Sequence, residues 1–269
     1  MGPYEKTEAR RGETMMIGAH TPPGHPLDEA ASRGADLVQI FLSNPQSYRA
    51  PLPRSDGAQL AAAELAIYVH APYIMNPASP NNRIRIPSRK TLDQTMVAAA
   101  AIGAAGVIVH GGHVGEDEDI GEGFARWRKV FEYGQGSWSV PLLIENTAGG
   151  GNAVARELAN YGPLWDAVGE FDVGVCLDTC HVWAGGGDLS TAVELVRGLT
   201  GRLDLIHCND SRDPFDSRRD RHANLGSGQI PDDLLAEFVR QAAAPVVVET
   251  PGGSDEQGAD IAWLRERIS

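Results

Sequence analysis

The feature that most constrains the fold is a series of eight short apolar runs, rich in β-branched residues, that recur along almost the whole chain. Stretches of helical length separate them, and this alternation is typical of βα units around a parallel sheet. Eight units in 269 residues predict a single-domain α/β protein, a TIM (β/α)8 barrel. The runs are MMIGAH (15–20), ADLVQIFL (35–42), AIYVHA (66–71), GVIVHG (106–111), VPLLIEN (140–146), VGVCLDT (173–179), LDLIHCN (203–209) and PVVVET (245–250).

Two of the intervening stretches carry the signals of a helix N-terminus. Ser88 would cap a helix over residues 88–105, and Pro231 would lie in the first turn of a helix over residues 231–244. The longest irregular segments follow the second, third and seventh runs. In a barrel these segments meet at the C-terminal face, where active sites of this fold lie.

Composition and charge exclude several classes of protein. The chain is 42% hydrophobic and 22% charged, as ordered globular proteins are, and no run reaches the ~18 apolar residues that cross a membrane. Three cysteines are too few for a disulfide framework, so we expect a cytoplasmic protein. We also expect the protein to make no membrane contact and to be monomeric. No linker divides the chain, so we expect a flexible polar tail over residues 1–14 and one barrel domain over 15–269. The net charge of −13 argues at first sight against a nucleic-acid partner.

Six of the eight runs carry, near their C-terminal ends, a side chain that can bind a metal ion. One such residue alone is usually a hydrogen-bonded structural residue, but successive strands of one barrel would bring all six to a common rim. Buried carboxylates and imidazoles are costly unless cations compensate their charge, so the pattern predicts a metal site. The six residues are His70, His110, Glu145, Asp178, His207 and Glu249.

Three further candidates lie in loops beyond the strands. His181 follows Asp178 by three residues, and the segment DRHANLGSG contains an Asp-x-His pair, Asp220 and His222, which can chelate one ion. The nine candidates, five histidines and four carboxylates, are enough for more than one ion. Imidazole and carboxylate ligands without a thiolate suit Zn2+, and also Fe2+ or Mn2+, so the ligands alone leave the element open.

The cysteines and the glycine-rich segments have a structural interpretation. In a strand, Cys176 and Cys180 would share a face with Asp178, and their CxxxC spacing is not that of a structural zinc site. We expect them to pack in the core or beside metal ligands. The segments NTAGGGN (146–152) and WAGGGD (183–188) match no phosphate-binding motif, so we expect tight turns or close backbone approaches there.

From about Met16 to its end, the chain resembles the endonuclease IV family of apurinic/apyrimidinic (AP) endonucleases. The resemblance rests on nine specific motifs rather than on composition. These motifs are IGAH (17–20), FLSNPQSY (41–48), VHAPY (69–73), VHGGH (109–113), IENTAG (144–149), GVCLDTCH (174–181), HCNDS (207–211), DRHANLGSGQI (220–230) and VVVETP (246–251).

The resemblance implies a trinuclear zinc site, with Mn2+ or Fe2+ able to take some positions. Glu145 would bridge two ions and act as the catalytic residue that sets their spacing. Three ligand groups follow: a first with His70, His110 and Glu145, a second with Glu145, Asp178, His207 and Glu249, and a third with His181, Asp220 and His222.

The reaction implied by the resemblance is hydrolysis of a phosphodiester in damaged duplex DNA. Family enzymes cut on the 5′ side of an abasic deoxyribose, leave a 3′-hydroxyl and remove blocking groups from 3′ ends. Neighbouring metal ions suit this chemistry, because they generate a nucleophile from water and stabilise the entering and leaving oxygens. No side-chain nucleophile would be required.

The acidic net charge does not exclude a DNA substrate. Three Zn2+ ions would change the formal charge from −13 to −7. Ten of the 23 basic residues fall in the segments after the second, third and seventh runs, where they would form a phosphate-binding crescent on an acidic body. They are Arg49, Arg54, Arg83, Arg85, Arg89, Lys90, Arg212, Arg218, Arg219 and Arg221.

One departure from the family pattern concerns the residues that enter the DNA at the lesion. Family members insert an Arg-Gln pair from the loop after strand 2, whereas this loop reads Asn44-Pro45-Gln46-Ser47-Tyr48 and lacks the Arg. Tyr73, the other penetrating residue, is present. The resemblance therefore implies DNA contacts from this loop and Tyr73, and the crescent adds a further one. These candidate DNA-binding residues are Tyr73, Gln46, Ser47, Asn44 and Arg221.

Two other functions stay open at this stage. A divalent-metal sugar isomerase or epimerase would also gather histidines and carboxylates at the C-terminal face of a barrel, but it needs fewer ions and no basic crescent. A barrel that binds damaged DNA without cutting it would be expected to lack a ligand, and none of the nine is missing.

Overall fold

The computed structural model describes residues 15–134 and 138–268, so the predicted tail over residues 1–14 lies outside the described residues. Eight parallel strands close into a barrel in sequence order, which confirms the predicted TIM barrel, and each strand lies inside one of the predicted runs. The barrel strands are β1 (Ile17–His20), β2 (Leu37–Phe41), β3 (Ala66–His70), β4 (Gly106–His110), β5 (Leu142–Glu145), β6 (Gly174–Asp178), β7 (Leu205–His207) and β10 (Val246–Val248).

A separate antiparallel pair, β8 (Asp210–Ser211) and β9 (His222–Ala223), lies beyond β7. Helices occupy the connections between barrel strands. Within the described residues they are α1 (Pro26–Arg33), α2 (Gly57–Ala61), α3 (Asn82–Ala101), α4 (Gly121–Gly134), α5 (Tyr161–Val168), α6 (Thr179–Ala184), α7 (Leu189–Thr200), α8 (Asp232–Ala242) and α9 (Ser254–Ile268). None of these helices is long and apolar enough to cross a membrane.

The expected cap of α3 at Ser88 is wrong. The helix begins six residues earlier, where the Asn81 side chain accepts a hydrogen bond from the backbone N–H of Arg83. Ser88 is buried inside the helix, and its hydroxyl donates to the carbonyl of Ile84 instead. Pro87 lies directly before Ser88, where a proline is expected to interrupt a helix. In this helix it removes one intrahelical hydrogen bond without ending the helix.

A second boundary differs by one residue. Pro231 occupies the N-cap position of α8 rather than its first turn, with Asp232 and Asp233 following as the acidic first turn. Cys180, expected in a strand, lies in α6, because the chain turns into that helix directly after Asp178.

The apolar core has two parts because successive side chains of a strand point to opposite faces. The outward faces of the strands pack against the helices in a large cluster that includes Val38, Val69 and Trp127. The inward faces meet in a smaller layer inside the barrel. Its buried members are Leu37, Tyr68, Ile108, Leu143, Cys176, Leu205 and Val247.

Candidate metal centre

The candidate ligands follow from the two-residue repeat of the strands. Each apolar residue inside the barrel is followed, two residues later, by a polar side chain on the same face and nearer the C-terminal end of the barrel. The structure thus brings the six predicted strand-end residues together at one rim. The seven pairs are Leu37 and Gln39, Tyr68 and His70, Ile108 and His110, Leu143 and Glu145, Cys176 and Asp178, Leu205 and His207, and Val247 and Glu249.

Glu145 lies at the centre of the rim and is fully buried. Its Oε2 is 3.2 Å from His70 Nε2 and 3.3 Å from His110 Nε2. Its Oε1 is 2.9 Å from His207 Nδ1 and 3.3 Å from His181 Nδ1. Burial alone would raise the pKa of Glu145, but the neighbouring His207 and His110 hold it well below its usual range. The group is therefore a carboxylate with imidazoles on both oxygens.

The two oxygens of Glu145 face different sets of side chains. In each set, the atoms able to bind a metal ion lie within 4.8 Å of one another. The first set is His70 and His110 with Glu145, and the second is Asp178, His207 and Glu249 with Glu145. These sets coincide with the first and second ligand groups.

The third ligand group also comes together, with its atoms within 4.8 Å of one another. Asp220 Oδ1 is 3.1 Å from both His181 Nε2 and His222 Nε2. Each imidazole uses its Nδ1 to donate to a backbone carbonyl, that of Asn146 for His181 (3.0 Å) and that of Glu249 for His222 (3.2 Å). Both Nε2 atoms are buried, and neither makes a well-aligned hydrogen bond among the described residues, so their contact with Asp220 is an ion-pair contact. Two buried imidazole nitrogens that converge on one carboxylate oxygen are a ligand arrangement that fits a metal cation.

Local structure explains how these three residues meet. Asp178 is the N-cap of α6, and its Oδ1 accepts the backbone N–H of His181 at 2.7 Å, which holds that histidine over the rim. The β8–β9 pair places Ser211 opposite His222. Asp220 precedes β9 by two residues, so the pair carries both members of the Asp-x-His chelate to the site.

Tyr73 lies at the open side of the rim, with half of its side chain exposed. Its ring centroid is 5.0 Å from Phe41, 5.4 Å from His70 and 5.9 Å from His110, the last in a stacked arrangement. Burial, with the negative charge of Glu249 and other carboxylates, raises the pKa of Tyr73, so its phenol is neutral.

The loop after β2 stands beside Tyr73. Asn44 Oδ1 accepts the backbone N–H of Gln46 at 2.9 Å, a local turn that leaves Asn44 and Gln46 exposed and Ser47 half-buried. Two bonds join this loop to the segment after β3: Ile74 N–H donates to the Pro45 carbonyl, and the Tyr48 hydroxyl donates to the Ile74 carbonyl. The candidate DNA-contacting loop and Tyr73 therefore form one connected surface.

Comparison with known proteins identifies the family. A family model described as a xylose isomerase-like TIM barrel matches residues 27–267. The protein named probable endonuclease 4 of Mycobacterium tuberculosis (strain ATCC 25177 / H37Ra) is 58% identical over 255 residues, covering 94% of this chain and 99% of that protein. The chain belongs to the endonuclease IV family. The solved endonuclease IV of Thermus thermophilus has a TM-score of 0.81 at 27% identity, covering 94% of this chain and 98% of that one.

The barrel itself is more widespread than the endonuclease IV family. A D-tagatose 3-epimerase-like protein has a TM-score of 0.77 at 17% identity, covering 94% of this chain and 97% of that one. Likeness at this identity shows the fold alone and gives no support to a sugar epimerase activity. Membership of the endonuclease IV family identifies the chain as an enzyme, a metal-dependent nuclease.

Three polar residues that were not predicted from the sequence contact the candidate ligands. Gln39 and His20 both approach Glu249 Oε1, at 2.6 Å and 3.4 Å. Asn209 donates to Asp178 Oδ2 at 2.6 Å and accepts the backbone N–H of Glu249 at 2.7 Å. Gln39 occupies the same inward position in β2 as the ligands do in later strands. Gln39 follows the inward-facing Leu37 by two residues, and this spacing could have identified Gln39 from the sequence.

The predicted basic crescent is partly neutralised within the protein. Arg83, Arg85, Arg89 and Lys90 lie in α3 rather than in a loop, because that helix begins early. Six of the ten cations contact other protein groups. These contacts are Arg54 with Asp56, Arg85 with the Ser79 carbonyl, Arg89 with the Tyr133 ring, Arg218 with Asp216, and Arg219 and Arg221 with Asp213. Over residues 15–134 and 138–268, no acidic partner is found for Arg49, Arg83, Lys90 and Arg212.

The cysteines and glycines occupy structural positions. All three cysteines are free and buried; Cys176 belongs to the layer inside the barrel, and Cys180 Sγ lies within 4.8 Å of the metal-binding atoms of Asp178 and His222. At Gly149 a Cβ would come within 2.6 Å of the Arg218 carbonyl oxygen, so only glycine permits that backbone approach. The glycine-rich segment therefore lets the loop that carries Arg218 and Asp220 pack directly against its backbone.

Proposed function

We propose that the chain is an AP endonuclease that hydrolyses the phosphodiester on the 5′ side of an abasic site in duplex DNA. It would leave a 3′-hydroxyl and would also remove blocking groups from 3′ ends. The observation that carries the proposal is the position of Glu145, a buried carboxylate whose two oxygens face separate sets of ligands. Such an arrangement supports a multinuclear centre, which suits displacement at a phosphodiester.

The donor atoms support three ions, which we assign as Zn2+. Five imidazoles and four carboxylates suit zinc, while Mn2+ and Fe2+ share this preference and could take some positions. The buried Nε2 atoms of His181 and His222, which converge on Asp220 Oδ1, support an ion at the third group. The proposed ligands are those of the three groups: His70, His110, Glu145, Asp178, His181, His207, Asp220, His222 and Glu249.

When bound, the ions would supply a nucleophile from water at neutral pH and would stabilise charge on the entering and leaving oxygens. The role of the protein's own residues is to fix the geometry of the ligand groups. Glu145 sets the distance between the first and second groups because each of its oxygens belongs to a different one. Tyr73 covers His70 and His110 at the entrance, where the sugar of the lesion would arrive.

Damaged duplex DNA is the proposed substrate and partner. The cations without an acidic partner among the described residues support phosphate binding, and Tyr73 with the exposed Asn44 and Gln46 and the half-buried Ser47 supports contact at the lesion. The free, buried thiols support a reducing, cytoplasmic location. The monomeric state stays a prediction.

The test is a labelled duplex with one abasic site, incubated with the purified enzyme, followed by identification of both product ends. We expect a 3′-hydroxyl and a 5′ deoxyribose phosphate, and no cut in the same duplex without the abasic site. An unsaturated sugar on the 3′ end would show β-elimination and contradict hydrolysis. Tight binding without any cut would favour a damaged-DNA-binding barrel instead.

A further inference from the structure

Gln39 is a fully buried amide that connects the ends of four consecutive barrel strands. It lies in β2, and its Nε2 is 2.6 Å from Glu249 Oε1, which follows β10. The same nitrogen is 2.9 Å from His20 Nδ1 at the end of β1. Its Oε1 is 2.8 Å from His207 Nε2 at the end of β7. All the hydrogen-bonding groups of this amide thus face residues of the rim.

The orientation of the amide follows from its partners. A carboxylate only accepts hydrogen bonds, so the NH2 group of Gln39 must face Glu249 and the carbonyl oxygen must face His207. His207 Nε2 therefore carries a hydrogen and donates to Gln39. The other ring nitrogen, Nδ1, is left to face Glu145 Oε1 at 2.9 Å and Glu249 Oε2 at 3.3 Å.

We propose that Gln39 is a positioning residue of the metal centre. It fixes His207 in its Nε2–H tautomer and orients the carboxylate of Glu249 toward the other members of the second ligand group. The inference rests on the proposed function, because it takes His207 and Glu249 as metal ligands. A metal-binding imidazole usually donates its other N–H to an oxygen that fixes its tautomer and orientation. Here one amide serves both a histidine and a carboxylate.

The burial of these groups makes the role of Gln39 hard to replace. His207 and Gln39 are both fully buried, so bulk water does not reach their hydrogen bond. An apolar side chain at position 39 would leave the N–H of His207 without an acceptor and one oxygen of Glu249 without its closest donor. The imidazole could then adopt the other tautomer, which presents N–H rather than a lone pair to the ion.

The test compares Gln39→Met with a matched control, Gln257→Met. Gln257 is also buried beside the rim, but its amide bonds the Arg33 side chain and the backbone carbonyls of His20 and Thr250. In the part of the chain that the structure describes, it bonds none of the nine candidate ligand side chains. Both variants remove a buried amide, and only one removes the contacts to His207 and Glu249.

Two quantities are measured on the zinc-loaded proteins: zinc affinity by competition with a chromophoric chelator, and the His207 tautomer by NMR of ring-15N-labelled histidine. For Gln39→Met we expect one ion to bind about 10- to 100-fold more weakly and the His207 ring signals to move. For Gln257→Met we expect a lower melting temperature with wild-type zinc affinity. If Gln39→Met does not fold, Gln39→Glu replaces it. That variant keeps the acceptor for His207, so it should keep the tautomer while losing affinity through repulsion of Glu249.

Wild-type affinity and wild-type ring signals in Gln39→Met, or wild-type affinity in Gln39→Glu if that variant has to be used, would overturn the positioning role and leave the proposed function intact. Equal losses of affinity in Gln39→Met and Gln257→Met would also overturn it, since a general loss of packing would explain both. A wild-type protein that binds no zinc and does not cut the abasic duplex would instead overturn the proposed function.

Discussion

Arg221 forms a two-point ion pair with Asp213, in which Arg221 Nε donates to Asp213 Oδ2 at 2.7 Å and Nη2 donates to Oδ1. Asp213 is buried, and Arg221 lies in the sequence between two candidate ligands, Asp220 and His222. A residue predicted to bind DNA phosphate is therefore paired with a carboxylate of the protein, although half of its side chain stays exposed. The pair links the segment that carries Asp220 and His222 to the buried carboxylate of Asp213.

We expect Asp213→Asn to weaken retention of the third ion several-fold. The neutral amide keeps one acceptor but loses the charge and the second acceptor that fix Arg221, so Asp220 and His222 would be held less firmly. The measurement is zinc content by native mass spectrometry after dialysis against increasing concentrations of chelator. The variant should go from three bound ions to two at a lower chelator concentration than the wild type.

The control for this prediction is Asp216→Asn on the same segment. Asp216 pairs with Arg218, but both side chains are about half exposed, and such pairs contribute little. The backbone of Asp216 has a φ of 58°, a conformation that asparagine tolerates. Equal loss of zinc from both variants would mean that the charge of the segment, rather than the Asp213 pair, holds the ion.

Glu145→Gln should abolish cleavage of the abasic duplex. An amide offers one neutral oxygen where two cations require a bridging carboxylate, so one ion should be lost or the two should separate. Single-turnover cleavage and zinc content are measured on the same preparation. Glu194→Gln changes an exposed carboxylate on α7 and should leave both unchanged. Three bound ions together with near-normal turnover in Glu145→Gln would contradict the bridging role.

DNA affinity should fall as salt rises, although the protein is acidic. Local contacts between cations and phosphates release counterions, and each contact contributes about 0.9 to the slope of log affinity against log salt. Arg212→Gln removes an exposed cation that has no acidic partner among the described residues, so it should reduce the slope by about that amount. Lys129→Gln on the exposed face of α4 is the control and should not change the slope. A flat plot for the wild type would remove the basic crescent from the proposal.

Tyr73→Ala should slow cleavage of an intact abasic duplex much more than removal of a 3′-phosphate at a nick. Opening a duplex costs a few kcal/mol of unstacking, about 10- to 100-fold in rate, whereas the end at a nick is already free. Tyr73→Phe keeps the ring that covers His70 and His110 and should stay near wild type on both substrates. Gln46→Ala should show the same bias as Tyr73→Ala but smaller. Equal losses on both substrates for Tyr73→Ala would mean that the ring supports the metal centre rather than opening the lesion.

The barrel and the six strand-end candidate ligands could be predicted from the sequence because both depend on short-range regularities, whereas the three candidates beyond the strands were predicted from the Asp-x-His pair, the position of His181 and the family resemblance. The two-residue repeat of a strand orients Leu143 and Glu145 to the same side, and the recurrence of βα units brings such positions to one rim. Helix boundaries are harder to predict, because more than one residue in a segment can cap the same helix. Asn81 and Ser88 both suit a helix start, and the hydrogen bond between the Ser88 hydroxyl and the Asn76 backbone N–H, twelve residues away, forms only in the folded chain.

Only the tertiary structure decided which partner each polar side chain takes. Arg221 could bind a phosphate or a carboxylate, and its choice of Asp213 depends on how the segment between β8 and β9 folds back. Gln39 meets His207 across 168 residues of sequence, and no local pattern encodes such a contact. Charged and amide side chains accept many partners, so the partner in the folded protein is the one that long-range packing brings within hydrogen-bonding distance.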